Sequence, residues 1–154
     1  MRSALILSSL AALAYGQSIQ IGAPAAGETI TAGSNITVSV FKPNSLTGST
    51  EVSLILAINS CSDGGCQSPS NVLGNVLYMG EWQPDYSNTS SSLPPHQNFT
   101  VQVPDSLQNG TATLSASHLA LIGAGPYPDL EIVNTTVNVA NANGTVANMT
   151  TSDA

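Results

Sequence analysis

Few side chains in this sequence could do acid–base or metal chemistry. The histidines are His96 and His118, and neither stands in the short His-x-His or Glu-x-x-His spacing typical of a metal site. Glu81 and Asp85 bracket Trp82, and such a grouping could form a sugar-cleaving subsite if the carboxylates or His118 converged in a cleft. A serine elbow, a phosphate-binding glycine loop and a dinucleotide fingerprint are missing from the sequence. We therefore expect no enzyme activity, no metal and no cofactor.

Residues 1–16 have the three parts of a secretion signal. Arg2 supplies the positive charge, residues 4–13 the apolar stretch, and residues 14–16 a small-x-small cleavage site before Gln17. The apolar stretch of about ten residues is too short to cross a bilayer core of roughly 30 Å. The last residues, 140–154, are polar and do not fit a lipid-anchor signal. We expect a secreted, soluble protein that does not insert into a membrane.

Seven Asn-x-Ser/Thr sequons follow this signal. A sequon is used only where a translocated chain meets the glycosylation machinery, so many of them after a signal indicate a eukaryotic secretory route. We expect about half to carry glycan, because acceptance requires a surface position; the alternative is ordinary polar turn chemistry. The acceptor residues are Asn35, Asn88, Asn98, Asn109, Asn134, Asn143 and Asn148.

The two cysteines, Cys61 and Cys66, are five positions apart in the segment CSDGGC. An even number of cysteines in a secreted chain favours a disulfide, and the intervening Asp-Gly-Gly supplies the tight turn of a small ring. A redox pair would normally be C-x-x-C, and a zinc site would need a second pair of ligands. A ring this short stabilises the fold by only about 2 kcal/mol in the chain-entropy model, so we expect it to pin a loop between strands.

The charge of the chain is strongly negative. Once the signal is removed, Lys42 is the only strong base against nine Asp and Glu residues, which gives a net charge of −8. Nucleic acid and anionic membrane surfaces are disfavoured as partners, because both are bound through clustered Lys and Arg. The acidity favours solubility, and it could also steer the protein towards a basic partner surface.

The elements that must position these residues are β-strands. Apolar and β-branched residues alternate with Thr, Ser and Asn, and Gly and Pro separate the runs. We predict an antiparallel immunoglobulin-like or fibronectin-like β-sandwich of about seven strands over residues 17–139, with a closed small barrel as the alternative and a polar, disordered tail over 140–154. His118 lies in the sixth strand, where a histidine is commonly buried or half-buried. The strands are predicted around residues 19–21, 36–40, 52–58, 72–78, 99–103, 112–122 and 130–139.

Three stretches are not explained by strands. They are residues 42–50 (KPNSLTGST), 80–97 around Trp82, and 123–128 (GAGPYP). Loops carry function more often than the strands they join, so these are the candidate functional loops. They are equally compatible with connectors that merely turn the chain.

Four segments of the sequence resemble the necrosis-inducing secreted protein (Nis) family of fungal effectors. They are residues 19–61, VLGNVLY at 72–78, PPHQNFTVQVPDSL at 94–107, and SHLALIGAGPYPDLE at 117–131. The resemblance covers nearly all of residues 19–133, and its most distinctive parts are PNSLTGSTE at 43–51 and HLALIGAGP at 118–126.

The resemblance implies a secreted fungal effector in the host apoplast or the host cytoplasm. Such proteins are described as binding plant immune receptor-like kinases, inhibiting them, suppressing pattern-triggered immunity and, in some hosts, causing cell death. A binder of this kind needs a stable scaffold and exposed loops, and we expect a monomer. From the family-like residues of the loops, we predict that the host kinase contacts Lys42, Pro43, Asn44, Leu46, Thr47, Gly123 and Tyr127.

A cell-wall module is the second hypothesis. The opening, with Pro24 and Gly27 before a strand, also resembles the N-terminal domain of fungal proteins of β-glucan assembly. Trp82, Tyr86 and Tyr127 would then stack on sugar rings. Proteins of that kind usually carry Ser/Thr-rich stalks or anchors, which this sequence lacks.

Overall fold

The computed structural model describes residues 18–45, 47–61, 64–86 and 93–141. The predicted signal, Leu46, the tail beyond Asn141 and the sequons at Asn88, Asn143 and Asn148 lie outside these ranges.

The prediction of an all-β chain is confirmed: the described residues form eight strands and no helix. Seven of the strands correspond to the predicted ones, and one additional short strand follows the first. The strands are β1 (Gln20–Ala23), β2 (Thr29–Thr31), β3 (Asn35–Phe41), β4 (Ser49–Ser60), β5 (Asn75–Gly80), β6 (His96–Gln102), β7 (Gly110–Ile122) and β8 (Tyr127–Ala140).

The strands form two sheets. One has three strands in the order β1-β3-β6, and the other has five in the order β2-β8-β7-β4-β5. Neighbouring strands run antiparallel except β2 and β8, which pair in parallel with Thr29 opposite Asn138. The expectation of antiparallel pairing was therefore wrong for this one pair. Strand β2 is three residues long and carries a single buried side chain, so it gave too short a pattern to be predicted.

One hydrophobic core receives side chains from both sheets. Val38 and Val40 of β3 and Leu54 and Leu56 of β4 are fully buried, and Leu114 of β7 packs with them. Alternate residues of a strand point to the same face, so the period-two pattern places these side chains inward. Burying each stabilises the fold by roughly 2 kcal/mol. Strand β7 lies in the middle of the larger sheet, and its residues 112–118 are all buried.

Strand β5 begins three residues later than predicted. The chain turns at residues 68–72, where the amides of Asn71 and Val72 donate to the carbonyl of Ser68 at 2.9 and 3.1 Å. Gly74 follows with a positive φ of 77°, and a Cβ there would lie 2.5 Å from the carbonyl oxygen of Ile58. Only glycine fits such a position, so the ladder to β4 starts after it.

The molecule has two ends. At the loop end, β3 and β7 finish while β4 and β8 begin; β4 then runs 12 residues to the other end. The predicted disulfide between Cys61 and Cys66 is present just beyond the last residue of β4, Ser60. The amide of Cys61 donates to the carbonyl of Thr111 at 2.9 Å, which attaches the ring to β7. We call the end of the molecule that carries this disulfide the disulfide end.

Candidate functional site

The three predicted loops meet at the loop end. We define the loop-end surface as residues 42–48, 81–86 and 123–127, omitting position 46. The amide of Gly123 donates to the carbonyl of Gly48 at 2.9 Å, and the Tyr86 hydroxyl donates to Asn44 Oδ1 at 2.8 Å. These bonds join the first loop to each of the other two, so segments far apart in sequence form one surface.

Backbone hydrogen bonds hold these loops to the strands. Asp85 and His96 exchange two backbone hydrogen bonds of 3.1 and 2.9 Å, and the amide of Lys42 donates to the carbonyl of Pro95 at 2.8 Å. Within the first loop, the Ser45 hydroxyl accepts from the amide of Thr47 at 3.1 Å. Loops fixed in this way lose little conformational entropy when a partner binds.

The loop-end surface contains two open depressions. One of about 510 Å³ is lined by residues 47–50 and by Leu121, Gly123 and Ala124. Another of about 240 Å³ lies between the first loop and Pro84 and Pro95. Small-molecule sites usually enclose most of their ligand, so open depressions of this kind suit a protein surface better.

The residues predicted to contact a partner differ in exposure. Asn44, Thr47 and Gly123 are exposed, and Tyr127 at the start of β8 is 64% exposed. Pro43 and Lys42 are half-buried, and Leu46 lies outside the described residues.

Lys42 is engaged in a cluster of charges beneath the loop. We call Lys42, Ser49, Glu51 and His118 the anchor cluster. The ammonium of Lys42 donates to Ser49 Oγ at 2.7 Å and contacts Glu51 Oε1 directly. The Ser49 hydroxyl donates to the same carboxylate oxygen at 2.7 Å. The other carboxylate oxygen, Oε2, lies in close contact with His118 Nε2.

The cluster is arranged to hold Glu51 ionised and His118 neutral. Burial by itself would raise the pKa of Glu51, but hydrogen bonds from Lys42 and Ser49 and the charge of Lys42 outweigh it and lower that pKa. For His118, burial dominates and lowers the pKa, against the opposing effect of the Glu51 carboxylate. Lys42 therefore serves as the counter-ion of a carboxylate and ties the start of the loop to β4.

Trp82 lies in the core and not on the surface. Its side chain is 2% exposed, and its ring meets the His118 ring edge-on with the centroids 4.5 Å apart. The expectation that Trp82 would stack on a sugar in the cell-wall hypothesis was therefore wrong. The tryptophan instead packs the start of the second loop against β7. Among the aromatic residues of that hypothesis, Tyr86 and Tyr127 are exposed.

The side chains considered for hydrolysis do not converge. His118 is buried, as its place in a strand predicted, and the charged groups that act on it are Glu51, Glu131 and Lys42. Glu81 and Asp85 are exposed on the second loop. A cavity of about 20 Å³ borders His118 and Glu131, enough for about one water molecule. Within the described ranges, no three His, Cys, Asp or Glu residues are grouped as metal ligands.

None of the four described sequons belongs to the loop-end surface, although Asn98 is only two residues from His96, which is hydrogen-bonded to Asp85. Asn35 and Asn98 are on the three-stranded sheet, where the Asn98 side chain accepts from the Ser39 hydroxyl at 2.5 Å. Asn134 is in β8, and Asn109 precedes β7 at the disulfide end. All four asparagines are exposed, which glycan attachment requires.

A comparison with models of known protein families assigns the chain to one of them. The model of the Nis1 family matches residues 14–138, and the chain belongs to this family. The resemblance noted from the sequence is thereby confirmed, and membership indicates an effector-type, secreted protein. No curated protein sequence matches significantly.

Among solved structures, a superoxide reductase (neelaredoxin) from Ignicoccus hospitalis shares 15% identity with this chain. The match covers 82% of this chain and 83% of that one, with a TM-score of 0.47. This likeness is too low to bear on function. In the described part of the chain, no helix is long and apolar enough to cross a membrane.

Two features of the site escaped prediction from the sequence. The role of Glu51 was missed, although a carboxylate two residues into a strand of inward-facing aliphatic side chains is a signal for a buried charge that needs a partner. Lys42, the only strong base after the signal, was the obvious partner. The burial of Trp82 had no such signal, because its neighbours in sequence are polar or proline.

Proposed function

We propose that this protein is a secreted effector that binds plant immune receptor-like kinases and suppresses pattern-triggered immunity, with host cell death as a consequence in some hosts. Membership of the Nis1 family supports the effector class. The kinase target comes from the family resemblance seen in the sequence. For the scaffold we propose an immunoglobulin-like or fibronectin-like arrangement of the two sheets, in keeping with their common core.

The observation that carries the binding proposal is the convergence of the loops at one end. The two most distinctive family-like stretches, 43–51 and 118–126, contribute to the same surface and are hydrogen-bonded through Gly48 and Gly123. None of the described residues of this segment, 43–45, 47 and 48, belongs to the hydrophobic core, so packing does not account for its composition. Its contacts with two other loops favour a role in recognition.

The exposed tyrosines support a protein partner. Tyr127 and Tyr86 are 64% and 53% exposed, and tyrosine is enriched among the residues that dominate binding energy. Tyr86 is oriented by its bond to Asn44, so it is pre-organised for contact.

The test uses mature glycosylated protein and a panel of plant receptor-like kinase domains. We expect capture of at least one kinase domain and reduced phosphorylation of its substrate. Replacing Asn44 and Tyr127 together by Ala should weaken binding by about tenfold or more, since a buried tyrosine at an interface contributes on the order of 2 kcal/mol.

The matched control replaces Gln102 and Gln108 by Ala. Both are exposed and lie at the disulfide end, so this variant should bind like the parent. Equal loss of binding in both variants, at equal thermal stability, would contradict the assignment to the loop end. Retention on insoluble β-glucan without kinase capture would support the cell-wall alternative instead.

A further inference from the structure

The two sheets differ in the chemistry of their outer faces. On the three-stranded sheet, the residues of β3 and β6 that alternate with the buried core positions are polar, apart from Phe41 at the end of β3. Cross-strand partners on its outer face include Ser39 with Asn98 and Thr37 with Thr100. A sheet with one face on the core and one in water normally shows this alternation.

The outer face of the five-stranded sheet carries apolar side chains on both sides of its central strand β7, which contributes Ser115 and Ser117 to that face. Met79 of β5 pairs with Ile55 of β4, and Ile132 of β8 occupies the same row across β7. Val76 and Leu130 point to the same side in neighbouring rows. Met79, Leu130 and Val76 are 73%, 65% and 55% exposed. We call these five residues the apolar outer face; exposed apolar side chains grouped on one face in this way often mark a surface that is covered.

A glycan acceptor stands within this face. Asn134 pairs with Ser115 of β7, and it is exposed and two residues from Ile132 on the same side of β8. The distance between Asn134 and Ile132 along the strand is about 7 Å, and Val76 lies three strand spacings away, about 14 Å. Asn35 and Asn98 stand on the polar sheet, and Asn109 is in a loop at the disulfide end. Among the described sequons, Asn134 alone is on the apolar side.

We propose that an N-linked glycan on Asn134 covers the apolar outer face. Sugar rings carry flat patches of C–H groups beside their hydroxyls, so they can rest on aliphatic side chains while keeping their polar groups in water. An oligosaccharide of several rings attached at Asn134 reaches across Ile132 and Ile55 towards Met79. The attachment is covalent, so its local concentration is high and a weak contact is enough to cover the face.

The test compares two variants that each lose one sequon without changing its asparagine. The full chain is secreted from a glycosylating eukaryotic host, and glycopeptide mass spectrometry measures occupancy at Asn134. Thr136→Ala removes the Asn134 sequon, and Thr100→Ala removes the Asn98 sequon on the polar sheet. We expect Thr136→Ala to show a several-fold rise in fluorescence of the dye anilinonaphthalene sulfonate and concentration-dependent association, and Thr100→Ala to show neither.

A rescue variant separates loss of cover from damage to the fold. Met79→Ser with Leu130→Ser, added to Thr136→Ala, removes the exposed apolar side chains and should return dye fluorescence to the parent level. An unoccupied Asn134 would overturn the proposal, as would equal dye binding by Thr136→Ala and Thr100→Ala. A dimer of the fully glycosylated protein that buries Met79 and Leu130 would assign the face to a second copy and overturn it likewise.

Discussion

The residue that organises the candidate site is Glu51. Its carboxylate contacts Lys42 of the first loop, Ser49 at the start of β4 and His118 of β7. The chain after the signal has one strong base, and the fold uses it here. The loop that we propose to bind the partner is thus held by a charge interaction at its base, in addition to its hydrogen bonds to the other two loops.

Replacing Glu51 by Gln should destabilise the protein and loosen the first loop. The side chain of Glu51 is 12% exposed, and Lys42 would lose its counter-ion in a partly dry site. Removing one partner of a buried pair is costly, and we expect a loss of about 2 kcal/mol in the free energy of unfolding by urea. Glu81→Gln is the control, because Glu81 is exposed, and its stability should match the parent. Equal stability of both variants would show that the anchor cluster contributes nothing.

The neutral state of buried His118 predicts acid sensitivity. Its pKa is lowered from an ordinary value of 6.5, mainly by burial, so below that pH the unfolded chain binds a proton that the folded chain does not. Stability is therefore full above about pH 6.5 and falls as the pH drops towards the folded pKa. Each unit within this window costs up to about 1.4 kcal/mol. Below pH 4.5, Glu51 adds a second loss of the same sign, because its pKa is lowered too.

Urea unfolding at pH 7.5 and pH 5.5 measures the His118 contribution. The parent should lose on the order of 1 kcal/mol between these pH values. His118→Phe fills the same space without titrating, so its stability should change less over this interval. His96→Asn removes the other histidine and serves as the control. A parent whose stability is level from pH 7.5 to pH 5.5 would contradict the assignment.

At the scale of elements, the period-two pattern predicted seven of the eight strands, because burial of alternate side chains leaves a direct trace in the sequence. It failed for β2, whose single buried residue Ile30 makes no alternation. It placed β5 too early, because Val72 and Leu73 continue the apolar run although the amides of Asn71 and Val72 are bonded to Ser68 in a turn. Pairing partners such as β2 with β8 are about 100 residues apart and could not be predicted from local patterns.

The loops of the candidate site were predictable from the local sequence, but their arrangement in space was not. The loops were recognised because Pro and Gly interrupt the strand pattern at residues 42–50 and 123–128. Their convergence depends on the pairing of β4 with β7, where Ser49 stands opposite Ile122. The burial of Trp82 beside His118 depends on the packing of a loop against a sheet, which no local pattern encodes.

The disulfide belongs to the element scale, because it closes the connection that follows β4. Replacing Cys61 and Cys66 together by Ser should lower the free energy of unfolding by about 2 kcal/mol, the contribution of a short ring. Partner binding should be unchanged, since the ring and the loop-end surface are at opposite ends of β4. Urea unfolding and kinase capture on the same sample test both statements. Loss of binding by a variant that is still folded would mean that the ends are coupled.

At the scale of the whole molecule, recognition and glycan cover occupy different regions. The loop-end surface contains no described sequon, and Asn134 follows Tyr127 by seven residues along β8. Seven residues of strand span about 23 Å. A glycan that covers the apolar outer face can therefore coexist with a partner at the loop end, and the two proposals can be tested in one preparation.

The net charge leads to a last prediction, which concerns the rate of association with a partner. Without residues 1–16, the predicted signal, the chain has a net charge of −8, and a field of one sign steers association with a basic surface. The association rate with a captured kinase domain should fall as salt rises, while the dissociation rate changes little, because screening acts mainly on the approach of the two molecules. Asp85→Asn with Asp129→Asn removes one charge within the loop-end surface and one beside it, and should slow association. Asp105→Asn with Glu28→Gln removes two at the disulfide end and should slow it less. If the two double variants had identical association rates, the charge would serve solubility and not the approach of the partner.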